Sequence, residues 1–153
     1  MKKVLFISGI LLLMSISAMA QRYAKQILVP KQRFSVHSTT HSFWSGEDDY
    51  RTSVRVNLPY NTEYWYYTVS VRKIDNSYKE AECNIYLLDS DEHHLFINYG
   101  NFRYYREGTR KYISEGTVTI ESISSGHWYL GIANPSLQDG IKVELEVIAI
   151  VKE

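Results

Sequence analysis

Apolar and polar residues alternate in short runs along most of the chain. Val54, Val56 and Leu58 alternate with polar residues, and in Glu63 to Arg72 an apolar or aromatic residue occupies every second position from Trp65 to Val71. Such alternation places the apolar side chains on one face of a β-strand, and turn residues between the runs are typical of an all-β protein. The pattern predicts a single antiparallel β-sandwich, jelly-roll-like, with eight or nine strands.

Turn residues separate the predicted strands. The strands are Tyr23 to Val29, Arg33 to Ser38, Arg51 to Leu58, Glu63 to Arg72, Glu82 to Leu88, Leu95 to Asn98, Thr117 to Ser122, His127 to Asn134 and Ile141 to Val151. Leu95 to Asn98 is the expected hairpin partner of Glu82 to Leu88. Thr39 to Tyr50 is polar and predicts a loop. For Tyr99 to Glu115 a lid, a long loop and one irregular strand all stay open.

The inward faces of these strands give the candidate core, whose members are spaced two apart within each run. They are Val54, Val56, Leu58, Trp65, Tyr67, Val69, Val71, Ile85, Leu87, Val118, Ile120, Trp128, Leu130, Ile132, Val143, Leu145 and Val147. Cys83 is the single cysteine and is in phase with Ile85 and Leu87, so we expect it to be buried. The alternative is a reactive thiol.

The N-terminal segment has the features of a secretory signal peptide. Lys2 and Lys3 precede an apolar run from Val4 to Met14, and Ala18 and Ala20 place small residues at a cleavage site. The apolar run is shorter than a membrane span requires. We therefore expect residues 1–20 to be a signal peptide and residues 21–153 to form one domain, exported to the periplasm or the medium, without a membrane anchor after cleavage.

Charge and composition narrow the range of ligands. The chain has 17 basic and 17 acidic residues, so it lacks the excess of positive charge that nucleic-acid binding proteins carry. It contains 13 tyrosines and three tryptophans. Aromatic residues favour pleated, half-buried surfaces and also serve as binding surfaces. The composition excludes nucleic acid as the expected partner and favours a glycan or a protein.

Two segments resemble a known family. Asn84 to Asp91 is similar to a strand-and-turn element of bacterial pre-peptidase C-terminal (PPC) domains. Ser125 to Ile132, followed by Asn134, Gly140 and Val143 to Val147, resembles the closing hairpin of the same family. Together the two segments cover about the C-terminal half of the mature chain. It implies a jelly-roll-like sandwich of the kind found on secreted bacterial enzymes, where these domains are associated with secretion, substrate adhesion or processing.

Acidic residues in two predicted turns raise the question of metal binding. Asp89, Asp91 and Glu92 are weak candidates for a calcium site, because calcium takes six to eight oxygen ligands. The acidic trio from Glu47 to Asp49 is better explained as a solvated loop. His93 and His94 suggest a transition-metal site, because imidazole is a common metal ligand. Adjacent side chains of a strand point to opposite faces, however, so the two rings cannot join one site in a regular strand. We expect no cofactor; the alternative is a calcium ion bound by Asp89, Asp91 and Glu92.

The aromatic surface is the strongest functional lead. Its residues lie on one strand face or in irregular segments, where they are available for recognition. They are Trp44, Tyr64, Tyr66, Arg103, Tyr104 and Tyr105. These residues predict an exported, non-catalytic module that binds a glycan or a protein. Cross-strand packing explains the same tyrosines without a ligand.

Two further functions stay open. One is a small secreted hydrolase that uses loop carboxylates and histidines. His37 and His41 lie near several serines, but the sequence there has no nucleophile-elbow motif of the kind found in α/β-hydrolases. The other is a periplasmic inhibitor or assembly subunit that docks through Tyr99 to Glu115 or an edge strand.

Overall fold

The computed structural model describes residues 21–41, 50–76, 78–123 and 125–153. The predicted signal peptide lies outside these ranges, as do Trp44 and the acidic residues from Glu47 to Asp49. Within the described ranges, no helix is long and apolar enough to cross a membrane.

The named elements of the described residues are eight β-strands and the helix α1; Thr39, Thr40 and His41 are also helical. The elements are β1 (Tyr23–Val36), β2 (Arg51–Leu58), β3 (Thr62–Lys73), β4 (Cys83–Leu88), α1 (Ser90–Ile97), β5 (Tyr105–Ile113), β6 (Glu115–Ile120), β7 (Gly126–Ala133) and β8 (Ile141–Lys152). The predicted all-β class is therefore confirmed.

The strands make two antiparallel sheets of four. The first sheet has the order β1-β8-β3-β6 and the second sheet has the order β2-β7-β4-β5. The first strand thus pairs with the last, and the second strand pairs with the seventh, across the whole length of the chain. Consecutive strands alternate between the sheets, except for β4 and β5, which are neighbours in the second sheet, and this nesting is the arrangement of a jelly roll.

Almost all of the predicted core is buried between the two sheets. Trp65 and Tyr67 of β3 are the largest side chains there, and the Tyr67 hydroxyl donates to the Gly108 carbonyl at 2.9 Å. Trp128 is the exception, because it lies near the start of β7 and is only partly buried at the margin of the core. Its ring meets the Tyr105 ring edge-on, with centroids 5.0 Å apart.

The prediction of two strands before residue 38 was wrong, since β1 is one continuous strand. Its pairing with β8 shifts register between Ile27 and Val29 and again between Val29 and Gln32. Pro30 lies inside the second shift, on an edge strand that has no partner on its other side. Proline is tolerated at such a bulge because no ladder hydrogen bond has to be donated there.

The prediction of a strand at Leu95 to Asn98 was also wrong, because this segment belongs to α1 and its C-terminal cap. Asp89 is the N-cap residue, and its Oδ1 accepts a hydrogen bond from the Glu92 amide at 2.9 Å. Asp91 and Glu92 occupy the first turn, where negative charge interacts favourably with the helix dipole. Asn98 closes the helix by donating its backbone amide to the His94 carbonyl at 3.2 Å.

Of the alternatives for 99–115, the irregular strand is confirmed as β5. Between Tyr105, which pairs with Leu87, and Arg110, which pairs with Ile85, the register shifts. Gly108 lies in this bulge, where a Cβ atom would come within 2.6 Å of Leu87 Cδ2. Only a glycine lets the strand approach the core this closely.

Cys83 is fully buried at the start of β4, as predicted. Burial raises the pKa of its thiol to about 12, because the core disfavours the thiolate. In the unfolded chain the thiol ionises near its ordinary pKa of 9.0.

We expect this difference to lower stability at alkaline pH. Above the unfolded pKa, the unfolded chain loses a proton that the folded chain keeps, so the free energy of unfolding falls by up to about 1.4 kcal/mol per pH unit until the folded pKa is reached. Urea denaturation of the wild type and of Cys83→Ala between pH 8 and 11 measures this contribution. The wild type should lose stability more steeply, and equal slopes would contradict the burial of the neutral thiol.

Candidate functional site

A third layer covers part of the outer face of the second sheet. It consists of α1 and residues 98–102, which we call the helical layer. Phe96 of α1 is fully buried against the sheet at Gly131. A Cβ atom at Gly131 would lie 2.9 Å from both Phe96 Cε1 and Leu88 Cδ1. The absence of a side chain at Gly131 therefore allows the helix to approach the sheet.

Arg51 of β2 holds the other side of this layer. Its Nη1 donates to the Phe96 carbonyl at 2.8 Å. Its guanidinium carbon lies 4.8 Å from the Tyr99 ring centroid and 5.0 Å from that of Phe96, with Tyr50 and Phe102 within 5.7 Å. Cation–π contacts of this kind are stabilising when the cation is partly desolvated. Arg51 thus joins the end of the helix to the edge of the sheet.

His93 makes the third attachment. Its ring stacks on Tyr129 at 3.8 Å between centroids, and its Nε2 lies 2.8 Å from Ser53 Oγ. Partial burial, together with the neighbouring His94, lowers the pKa of His93 below its usual value. The neutral form of the His93 ring is therefore favoured in this position. The contacts of the ring with Tyr129 and Ser53 hold the helix on the sheet.

The helical layer leaves a cleft between the start of α1 and the start of β5. Two acidic residues, one arginine and two tyrosines line a cavity of about 250 Å³. We call it the tyrosine cleft; its residues are Asp89, Glu92, Arg103, Tyr104 and Tyr105. The structure therefore brings together three residues of the predicted aromatic surface and two of the three predicted metal candidates.

Both phenol rings of the cleft are exposed on one side and supported on the other. Tyr104 is 39% exposed, and its ring packs 5.4 Å from that of Tyr86. Tyr105 is 40% exposed and packs edge-on against Trp128. The Lys111 ammonium lies 5.3 Å from the centroid of the Tyr104 ring. The rings are thus held in position while part of each stays accessible.

The two carboxylates are fixed by backbone donors. Asp89 Oδ1 caps the helix, and its Oδ2 accepts from the Tyr105 hydroxyl at 3.4 Å. Glu92 Oε2 accepts from the Arg103 amide at 2.6 Å. Partial desolvation of the hydroxyl, with Asp89 beside it, raises the pKa of Tyr105. Tyr105 is thus a neutral hydrogen-bonding group at neutral pH.

The remaining metal candidate lies apart from the cleft. Asp91 is exposed in the first turn of α1 and does not line the cavity. In the part of the chain that the structure describes, no three His, Cys, Asp or Glu side chains are grouped so that they could hold a metal ion. The adjacent histidines also separate, because His93 faces the sheet while His94 is exposed beside Asn98.

The other predicted aromatic residues lie elsewhere. Tyr64 and Tyr66 are on β3 of the first sheet, where they pair with Ile150 and Ile148 of β8 and point away from the core. They therefore form a surface separate from the tyrosine cleft. Trp44 lies outside the described residues.

Sequence reasoning missed several residues around these sites. Trp128 packs against Tyr105, and Lys111 lies over Tyr104. The alternation placed Trp128 in the core and so did not indicate its contact with the cleft. A second cavity of about 480 Å³ lies among the connections β3–β4, β5–β6 and β7–β8. There Lys73 Nζ pairs with Asp139 Oδ2 at 2.7 Å, and Tyr112 is exposed. These residues come from distant segments, so no local pattern indicates them.

Comparison with known proteins gives structural likeness alone. No family model matches the chain, and no curated protein matches its sequence. The Yersinia pseudotuberculosis-derived mitogen is similar with 12% identity and a TM-score of 0.41, covering 82% of this chain and 86% of that one. The pre-peptidase C-terminal domain of Bacillus anthracis collagenase has 14% identity and a TM-score of 0.36, covering 83% and 88%.

We expect Arg51 to stabilise the helical layer measurably. Arg51→Met keeps much of the side-chain volume but leaves the Phe96 carbonyl without its charged donor, so the free energy of unfolding should fall by about 1.5 to 3 kcal/mol. Arg55→Met is the matched control, because Arg55 is exposed on the same face of β2, four residues further along the chain. Urea denaturation of both variants checks this, and equal losses would contradict the role assigned to Arg51.

Proposed function

We propose that this chain is an exported, non-catalytic binding module whose tyrosine cleft binds a glycan. The observation that carries the proposal is the pair of exposed rings, Tyr104 and Tyr105, fixed beside two carboxylates and Arg103. Export rests on the signal-peptide features of residues 1–20.

The chemistry of the cleft suits a sugar. Phenol rings offer a large apolar surface against which the C–H face of a sugar ring packs. Asp89 and Glu92 each have further lone pairs that accept hydrogen bonds from sugar hydroxyls, while the Arg103 guanidinium donates. Because Tyr86 and Trp128 already hold the rings, little conformational entropy is lost on binding.

The size of the cleft limits what it encloses. About 250 Å³ is just below the range of about 300 to 1,000 Å³ that is typical of small-molecule sites. The cavity therefore suits one sugar residue rather than an oligosaccharide. A longer glycan would extend over the exposed part of β5.

A protein partner is the second candidate, and the position of β5 favours it. This strand is at the edge of the second sheet, where an added strand could pair with it. The register shifts of β5 interrupt the regular ladder that such an addition needs. For this reason we favour the glycan.

The hydrolase alternative has less support. Ser53 and His93 form a hydrogen-bonded pair, but no carboxylate hydrogen-bonds to His93 among the described residues. In the tyrosine cleft, Asp89 and Glu92 each accept a backbone amide, which is a structural role.

Binding measurements with tyrosine variants test the proposal. A glycan array identifies a ligand for the wild type, and titration calorimetry then gives its Kd for Tyr104→Ala, Tyr105→Ala and Tyr64→Ala. Each cleft variant should bind about ten-fold more weakly, equivalent to about 1.4 kcal/mol, because it loses one ring contact. Tyr64→Ala is the control, since Tyr64 is similarly exposed on the opposite sheet.

Unchanged affinity in both cleft variants would overturn the assignment of the site. If no glycan binds and a protein co-purifies from the native source instead, the second candidate replaces the first.

A further inference from the structure

The outer face of the first sheet carries a third cavity, which is lined mainly by charged side chains. It measures about 440 Å³ and lies on the side of the sandwich away from the helical layer. Its lining combines three cations from three adjacent strands with one carboxylate and one hydroxyl. These residues are Arg33, Ser70, Arg72, Lys142 and Glu144.

Two of these cations are direct cross-strand neighbours. Arg72 of β3 and Lys142 of β8 are paired in register, so their side chains emerge on the same face of the sheet. Directly opposed like charges destabilise a sheet. On the other side of Lys142, the paired residue of β1 is Ser35, which has no charge to balance the lysine. Lys142 has no ion pair among the described residues.

The single carboxylate of the cavity is already shared. Glu144 accepts from Lys31 at 2.7 Å and from Arg33 at 2.8 Å, and these two partners lower its pKa. Arg72 meets Glu115 at 3.1 Å, but that carboxylate is largely exposed and outside the cavity lining. Three cations against one carboxylate leave the cavity with excess positive charge. Arg72 is paired with Glu115, and its Nη1 donates to the Val71 carbonyl at 2.9 Å, so the cation without an ion pair among the described residues is Lys142.

We propose that this cavity is an anion site that binds the phosphate or sulfate group of a soluble ligand. The Arg72 guanidinium has five N–H donors, so it keeps others besides those that it gives to Val71 and Glu115. The Lys142 ammonium contributes a second charge beside it. The Ser70 hydroxyl lines the same cavity and adds a neutral donor. An oxyanion between the two cations removes the repulsion that the register imposes on them.

Titration of the whole protein with inorganic phosphate and with inorganic sulfate tests this site. Chemical shifts of the Arg72 and Lys142 amides are followed by NMR at constant ionic strength, with chloride as the reference anion. We expect saturable binding to the wild type, and a Kd at least ten-fold higher in Arg72→Gln and in Lys142→Gln. Lys25→Gln is the control, because Lys25 is an exposed cation on β1 of the same sheet. The Kd of this variant should equal that of the wild type.

Equal Kd values in all four proteins would overturn the proposal, since they would show diffuse attraction to positive charge. Vesicles containing phosphatidylglycerol form a separate arm. Vesicle binding that depends on Arg72 and Lys142, without binding of free phosphate or sulfate, would also overturn it in favour of a membrane surface.

Discussion

The contact between Phe96 and Gly131 is the constraint on which the candidate site depends. Phe96 is fully buried on the outer face of a sheet, and it fits there because residue 131 has no side chain. This contact fixes the distance of α1 from the second sheet. It thereby places Asp89 and Glu92 next to Tyr105 at the start of β5, which forms the tyrosine cleft.

The molecule thus divides its stability between two kinds of packing. The sandwich core is largely aliphatic and contains Trp65 and Tyr67, and no residue of the helical layer belongs to it. The helical layer is held by rings, one guanidinium and the Ser53–His93 hydrogen bond. Such a layer opens more readily than the core, because fewer apolar groups leave water when it docks. Under the proposed function, a ligand of the cleft would therefore bind only when α1 is docked.

Much of the fold follows from the period-two alternation, which correctly assigned the inward faces of β2, β3 and β8. The helix was missed because Asp89-Ser90-Asp91-Glu92 is both a good turn and a helix capping pattern, with Asp at the N-cap and Glu three residues later. Alternation also gives the face of a strand but not its sheet. It could not show that Tyr64 and Tyr105 belong to opposite sheets, because that depends on pairings across the whole chain.

Amide hydrogen exchange in the Gly131→Ala variant tests the central claim most directly. The added methyl group would lie too close to Phe96, so α1 should dock less well while the sandwich persists. We predict at least ten-fold faster exchange for the hydrogen-bonded amides of His93 and Asn98, with the β3 and β8 amides unchanged. Unchanged protection of α1, or an equal loss in β8, would contradict the dependence of the cleft on this contact.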